Sequence, residues 1–450
     1  MNFHKTLLTA TLLLFTACGG GGSSNTVHSF LQEEDNSDKY QDSKMSCQPI
    51  STSSILYKIN QKFFEVKNPI TTAKILVAKS NPLSFNKQGI YELFQTEYYW
   101  AEETEKNFNY VSYTSPQTLI NDLKNEKDRW SFAMTKEDYE NVTAQKSGGF
   151  GFSCQDVTAG CHVTFVRIDS PADKVGLKRG DVITKINDKD ATHTNIYSKG
   201  KELEKIVNLS VIRKNSNEEC NCSVTPRDYT FKVAKGKIVH TAKNEKVAYL
   251  RLDSFMGAEN IVSQIDEAFD NFKKENIKKL VIDLRYNGGG SVSVAAKLLD
   301  KLSTTQVNHE QFTLAWNDDF QKNNSTYRFT KDNNSLNLEQ ILFLTTNGSA
   351  SASELVISAM KPYLSDENVV VIGDKTHGKP VGMGGKTDGN YYYFLINFVV
   401  KNSLGFYDYF EGLPLTAGCD INDDPLHEMG DPKESMLKAA LHYVDTGSCK

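Results

Sequence analysis

The sequence predicts a multidomain α+β protein, with an α/β core in its C-terminal half, a β-rich insert before the core and a small helical domain ahead of both. Three observations carry this expectation. From about residue 247 onward, short β-branched or apolar runs alternate with helical stretches. Residues 147–237 carry a glycine–phenylalanine loop and a tight turn into a short apolar strand, whereas the preceding region is polar and aromatic-rich with two helical patterns. At 450 residues and 39% hydrophobic content, the chain can build two or three packed domains.

The first residues address the chain. Lys5 gives a positive start, Leu7 to Phe15 an apolar stretch, and Phe15-Thr16-Ala17-Cys18 ends it with small residues before a cysteine. That is the pattern of a secretory signal with a bacterial lipobox, and the apolar stretch is too short to span a bilayer. Residues 1–17 are therefore expected to be a cleaved lipoprotein signal peptide, with Cys18 lipidated. One acyl chain anchors only marginally, so stable membrane attachment needs two or more. Residues 18–45, GGGGSSN followed by an acidic polar stretch, are too poor in apolar residues to fold and read as a flexible tether. Gly19 resembles the sorting position of Gram-negative outer-membrane lipoproteins. The expected location is the bacterial cell envelope, lipid-anchored at the outer membrane and facing the periplasm or the cell surface.

Residues 46–146 are expected to form the N-terminal, mainly helical domain, with helices over Ile90–Glu102 and Pro116–Leu123. In the first, Tyr91, Phe94 and Tyr98 recur at helical spacing as a packing face, with Tyr99 and Trp100 beside them. Within 147–237, G-G-F-G-F runs from Gly148 to Phe152, and S-P-A-D-K-V-G-L-K-R-G-D-V-I-T-K-I-N from Ser170 to Asn187. Ala172 and Leu177 are placed in the core there, and Gly180-Asp181 turn the chain into a strand over Val182–Ile186. The core, 238–450, reads as strands Val247–Leu252, Leu280–Leu284, Gln340–Leu344 and Val369–Ile372 alternating with helices Ala258–Lys274, Val292–Leu302 and Ala352–Met360. That alternation predicts a sheet with parallel crossovers. Sites in such sheets lie where a strand passes into the next helix.

One such junction carries chemistry. N-G-S-A-S-A-S-E from Asn347 to Glu354 runs straight into L-V-I-S-A-M, and G-D-K-T-H-G-K follows from Gly373 to Lys379. A serine hydroxyl becomes a nucleophile when a base takes its proton, and lysine can be that base if desolvation brings its pKa down. The run Val369–Ile372 supplies apolar cover for Lys379. Ser351 is the favoured nucleophile, with Ser349 and Ser353 as alternates. The first amides of the following helix lack intrahelical acceptors and can hold a developing oxyanion. The plain structural reading is an N-cap, with Glu354 completing a capping box. Against it stands V-I-D-L-R-Y-N-G-G-G-S from Val281 to Ser291, an apolar strand ending in three glycines that permit close approach of backbone amides to a carbonyl. No lysine of the P-loop kind follows those glycines, so nucleotide binding is not expected.

Together these segments resemble the C-terminal processing, or tail-specific, serine peptidases, over nearly all of the chain after about residue 90. Their S-A-S-A-S-E segment matches Ser349–Glu354, with Ser351 in the nucleophile's place. Their glycine-rich strand end matches Asp283–Gly290, and their G-K matches Gly378 and Lys379. V-A-Y-L-R-L-D-S-F at Val247–Phe255 and E-G-L-P at Glu411–Pro414 match as well. The resemblance implies a ClpP/crotonase-like core, Lys379 as general base, and the backbone amides of Ala352 and Gly289, rather than Gly288, as oxyanion donors. The loop Gly149, Phe150, Gly151 and Phe152 resembles the carboxylate-binding loop of a PDZ domain, where backbone amides grip a peptide C-terminus. Two positions depart from the family: Pro362 stands where some members have an aspartate, and Met383 where others have a glutamine. No third catalytic residue carries over, and His377, two residues from Lys379, is the only substitute at hand. The expected function is a membrane-tethered serine endopeptidase acting on proteins or peptides. Its alternative is a catalytically inactive peptide-binding lipoprotein of the same fold.

Composition sets the remaining limits. A net charge of -5 gives no basic excess for nucleic acid. There is no four-ligand zinc spacing and no His-Glu-x-x-His, so neither a metal nor another cofactor is expected. Of eight cysteines, Cys154 with Cys161 and Cys419 with Cys449 are the preferred pairs. Cys220 and Cys222 are too close for an easy mutual bridge, which leaves one of them as a candidate partner for Cys47.

Overall fold

The computed structural model describes residues 48–49 and 83–450, apart from 145, 215, 217 and 366. The expected signal peptide, lipidated Cys18 and tether lie outside the described residues. Among those described, no helix is long and apolar enough to cross a membrane.

The core sheet has five strands in the order Ala234–His240, Lys246–Leu252, Lys279–Asp283, Gln340–Thr345 and Val369–Gly373. The first pair is antiparallel and the other three pairings are parallel, as the strand–helix alternation predicts. Ala234–His240 begins before residue 238 and belongs to this core sheet. Side chains alternate strictly between the two faces. Ala248, Leu250, Leu252, Leu280 and Ile282 pack toward the helices Ala258–Lys274, Val292–Leu302 and Ala352–Met360. Val247, Tyr249, Val281, Leu342, Val370 and Ile372 pack on the opposite face against the C-terminal helix Ser435–Thr446. Because helices cover both faces, the strands are apolar throughout, not alternating.

A second, antiparallel sheet runs in the order Ser325–Arg328, Glu310–Trp316, Tyr391–Asn402 and Val381–Thr387. The strand Phe132–Thr135 of the N-terminal region pairs with Tyr391–Phe394 of that sheet, so this region is sewn into the core and not merely packed on it. Its first helix covers only Lys87–Gln95, shorter than expected, because Thr96 closes it with its amide bonded to Leu93 O; Ala101–Glu103 follows as a separate 3₁₀ turn. Ile90, Phe94 and Tyr98 are fully buried, while Tyr91 is only partly covered and stacks on Tyr110. The helix Pro116–Leu123 is as expected.

The insert is a β-sheet in the order Gln48–Pro49, Glu219–Val224, Val207–Ile212, Val182–Ile186, Gly160–Val166 and Phe152–Val157, closed at its base by Lys146–Gly149 paired with Arg227–Thr230. Ala172 and Leu177 are buried in its core. Cys154–Cys161 staples its edge hairpin and Cys419–Cys449 ties the C-terminus to the core, the two pairs the sequence favours. Cys220 is a buried free thiol and Cys222 is disulfide-bonded, while the expectation for Cys47 lies outside the described residues.

Candidate active site

The three serines of the S-A-S-A-S segment are distinguished by what their hydroxyls do. Ser349 Oγ donates to Leu284 O at 2.7 Å and accepts the Thr346 amide at 3.0 Å, and Ser353 Oγ donates to Asn287 O at 2.9 Å. Both are fastenings between this turn and the end of the strand Lys279–Asp283. Ser351 Oγ is buried and has no hydrogen-bond partner among the described residues. Its backbone is held at φ 64°, ψ −110°, a conformation that costs a non-glycine residue roughly 1–3 kcal/mol and persists only where the surroundings enforce it. The enforcement is visible: Ala350 N–H donates to Asn287 O at 3.1 Å and Ser351 N–H to Glu354 Oε2 at 2.7 Å. A strained turn thus presents one unengaged hydroxyl at the start of a nine-residue, wholly buried helix.

Glu354 does more than accept the Ser351 amide. Its fully buried carboxylate also accepts Lys379 N–H at 2.9 Å on the same oxygen as Ser351, and Gly378 N–H at 2.7 Å and Thr376 Oγ1–H at 2.5 Å on the other. Four donors offset the cost of burying the acid, although burial still raises its pKa. One carboxylate oxygen therefore fixes the backbones of Ser351 and Lys379 against each other. The capping pattern in the sequence points to the bond with Ser351; the bonds to residues 376–379 have no local signature.

Lys379 lies six residues past the strand Val369–Gly373 and is buried to 1% exposure. Burial brings its amine down to about 7, against the opposing pull of the Asp128 and Glu354 charges. This is the condition that the chemistry of a lysine base requires. His377 is half-buried: its amide donates to Ser349 O at 2.9 Å and its Nε2 accepts the Trp130 indole N–H at 3.2 Å. Its pKa is lowered by burial first, then by the positive charges of Arg129 and Lys379. Pro362 follows the helix Ala352–Met360 and lines a shallow open cleft with Leu404 and Phe406, and Met383 is buried in the strand Val381–Thr387. Neither brings a polar side chain to the site.

Gly289 meets the turn at Ser351 directly. A Cβ there would lie 2.8 Å from Ser351 Cβ, 2.9 Å from Ala350 O and 3.1 Å from Ala352 N, and the residue sits at φ 101°. Only glycine permits that approach. Ala352 is the first residue of its helix, where the amide has no intrahelical acceptor. The Gly289 amide donates to Asn287 Oδ1 at 2.9 Å, so this second expected donor is engaged in the structure.

In the insert, Phe152–Val157 is an edge strand of the sheet among the described residues, and the helix His193–Gly200 lies beside it. The loop Gly149–Phe152 leads into this edge strand. Gly149 and Gly151 have φ of 116° and 82°, and a Cβ on Gly151 would collide with Ser170 and Tyr229. Phe150 O accepts the Ala172 amide and Gly151 O the Arg167 amide, both at 2.9 Å, so the loop's carbonyls are used inward. Phe150 itself is a core side chain, 5% exposed, with Phe152 half-buried next to it. Phe150 thus shapes the loop from within, while part of the Phe152 ring stays accessible.

The chain is similar to known proteins over much of the described length. Residues 246–387 match the family model for Peptidase family S41, residues 148–224 that of the PDZ domain, and residues 86–132 that of the Peptidase S41 N-terminal domain. The chain is 29% identical over 318 residues to a CtpA-like serine protease of Staphylococcus aureus (strain MSSA476), covering 67% of this chain and 58% of that protein. It is 25% identical over 329 residues to a CtpA-like serine protease of Staphylococcus haemolyticus (strain JCSC1435), covering 69% and 62%. The chain thus spans about three-fifths of the length of the curated relatives it matches. A solved structure of an S41 protease from Bacteroides fragilis shares the fold, with a TM-score of 0.68 at 22% identity, over 81% of this chain and 98% of that one. In that order the chain carries segments similar to the Peptidase S41 N-terminal domain, the PDZ domain and Peptidase family S41, the arrangement that the sequence resemblance implies.

Proposed function

We propose that this chain is a serine endopeptidase of the C-terminal processing type, with Ser351 as nucleophile and Lys379 as general base. The observation that carries the reading is the pairing of an unengaged, buried Ser351 hydroxyl on a strained turn with a desolvated Lys379 whose amine is brought to about 7, both backbones held by one carboxylate. Neutral Lys379 takes the hydroxyl proton as Ser351 Oγ attacks the scissile carbonyl carbon. The oxyanion that forms is held by the Ala352 amide, with Gly289 joining if its amide leaves Asn287. Collapse breaks the C–N bond, and the Lys379 ammonium gives its proton to the leaving amine. Water, deprotonated in turn by Lys379, then hydrolyses the acyl ester and frees Ser351. Substrates are proteins or peptides whose C-termini are taken up by the loop Gly149–Phe152, the peptide adding a strand to Phe152–Val157. Lipidated Cys18 would tether the enzyme to the membrane of the cell envelope.

Because hydroxyl and base act as one unit, losing either should remove nearly the whole rate. Ser351→Ala and Lys379→Ala are each expected to abolish cleavage of an unstructured reporter protein with the thermal melt almost unchanged. Near-normal turnover in Lys379→Ala would assign the base elsewhere. No turnover by the unaltered chain, together with peptide binding, would favour the non-catalytic alternative.

A further inference from the structure

The loop that delivers Lys379 is gripped from two sides, and only one of them belongs to the peptidase core. On the inner side Glu354 takes the Thr376, Gly378 and Lys379 donors. On the outer side stands the end of the N-terminal domain. Asp128, 2% exposed, is fixed by the amides of Trp130 and Ser131 at 2.9 and 2.8 Å, by Tyr98 Oη at 2.8 Å and by Ser131 Oγ at 2.5 Å. From that anchor Arg129 Nη2 donates to Phe410 O at 2.8 Å and to Gly378 O at 3.3 Å. Its guanidinium lies over the Trp130 ring, 4.9 Å from the centroid, and the Trp130 indole donates to His377 Nε2 at 3.2 Å. The two segments that Arg129 bridges already touch backbone to backbone: a Cβ on Gly378 would collide with Phe410 O and lie 2.7 Å from Gly412 N.

We infer that Asp128, Arg129 and Trp130 form a positioning device for Lys379, with which the N-terminal domain holds the turn His377–Gly378 in place from outside the peptidase core. The inference rests on the Ser351 and Lys379 assignment above and extends it to a domain that contributes no residue to the chemistry. It also accounts for how the lysine is oriented without a polar side chain at Pro362 or Met383. Nη2 alone takes both carbonyls while the guanidinium plane lies over the Trp130 ring, a stacked placement that a lysine ammonium, with no planar face, does not reproduce.

The test uses the full chain carrying Arg129→Ala, Arg129→Lys or Trp130→Phe, with β-casein as substrate and kcat and KM measured from pH 5.5 to 9.5. The charged and titratable groups facing Lys379 are Asp128, Glu354 and His377, with Arg129 acting on His377 and Tyr409 beyond Glu354. Arg129→Ala should lower kcat about tenfold with KM within about twofold, the pattern of a misplaced catalytic group. It should also move the ascending limb upward by about half a pH unit or more, because a loosened loop admits water to the amine. Arg129→Lys keeps the charge but not the planar stack on Trp130 that aims the bridge, so kcat should stay at least about threefold low. Trp130→Phe, which keeps the ring buried, should lower kcat and move the limb in the same direction. As Arg129 is exposed, the melt should stay within about 2 °C for its variants.

Unchanged kcat and limb in Arg129→Ala, or full restoration by Arg129→Lys, would overturn the inference. A readout independent of turnover is the pH dependence of Lys379 acetylation by acetic anhydride in a Ser351→Ala background, followed by mass spectrometry. If the unaltered chain cleaves nothing, the peptidase reading fails, and the acetylation limb alone decides: displaced upward by Arg129→Ala, the device stands; unmoved, it does not.

Discussion

At the scale of single residues, the proposed mechanism requires the Lys379 amine to be neutral when Ser351 attacks. Lys379 is lowered by burial, and Asp128 and Glu354 act in the other direction. Only the neutral form accepts the Ser351 proton, so kcat/KM should rise with pH through a limb near 7 and level off above about 8. An ordinary lysine would place that limb beyond pH 10. His377 could imitate the result, because histidine also titrates near neutrality. Its pKa, however, is lowered, so a histidine limb should lie below 6.5, and His377→Ala would remove it. A pH profile of the unaltered chain beside His377→Ala separates the two: a limb near 7 that survives the substitution belongs to Lys379.

At the scale of elements, the close contact between a strand end and a helix start decides whether the nucleophile's turn exists. Gly289→Ala would place a methyl 2.8 Å from Ser351 Cβ, at a φ of 101° that alanine resists. The turn must then move, so activity is expected to fall at least about a hundredfold and the melt by several degrees, checked by casein cleavage and calorimetry. This junction was largely legible in the sequence. The runs V-A-Y-L-R-L, L-V-I-D and V-V-V-I are apolar on both faces because helices cover both, and the three core helices keep the limits their patterns indicate. The second sheet is not legible in that way. Its strand Val381–Thr387, V-G-M-G-G-K-T, carries three glycines that argue against a strand when read alone. They are tolerated because the partner strand lays aromatic rings over them: a Cβ on Gly385 would sit 2.8 Å from the Phe394 ring, and one on Gly382 would strike Phe398. Asp128, Arg129 and Trp130 were equally hidden. Arg129 reaches Gly378 across 249 residues of sequence, and nothing in D-R-W signals that partner.

At the scale of the whole molecule, the PDZ domain is joined to the core by a buried ionic cluster. Arg179 from the PDZ domain and Arg285 from the core both donate to Asp423 Oδ1, at 2.5 and 2.6 Å, and Arg285 also pairs with Asp283 and Glu434. Burial alone would raise the Asp423 carboxyl, but the two guanidiniums overcome it and hold it at about 2. A carboxylate depressed in the folded state adds stability above its unfolded pKa, about 3.9, and that contribution is lost as pH falls from there toward 2. Loosening of the PDZ–core contact is therefore expected between pH 4 and 2, ahead of core unfolding, and Asp423→Asn should bring the same loosening to neutral pH. Limited proteolysis of the 224–234 segment across pH reports it; equal cleavage of the unaltered chain and Asp423→Asn at pH 7 would mean the cluster does not hold the domains together.

That docking bears on how a substrate is chosen. The edge strand Phe152–Val157 and the loop before it face away from the sheet's other strands, and the loop's carbonyls are committed to Ala172 and Arg167. In the proposed reading a terminal carboxylate would be recognised by the loop's amides, and Phe152, half-buried, offers apolar surface beside them. Substrates ending in a small apolar residue with a free carboxylate should therefore be cut faster than the same chains amidated or ending in a charged residue. Deleting the domain would strand Arg285 and Asp423 without Arg179, so a loop variant is the cleaner comparison. Gly151→Ala forces a Cβ against Ser170 and Tyr229 and should distort the loop while leaving the ionic cluster intact. The measurement is the ratio of kcat/KM for matched free-acid and amide peptides. A ratio well above one that collapses toward one in Gly151→Ala assigns tail selection to the loop; a ratio of one in the unaltered chain leaves the PDZ domain a role in docking alone.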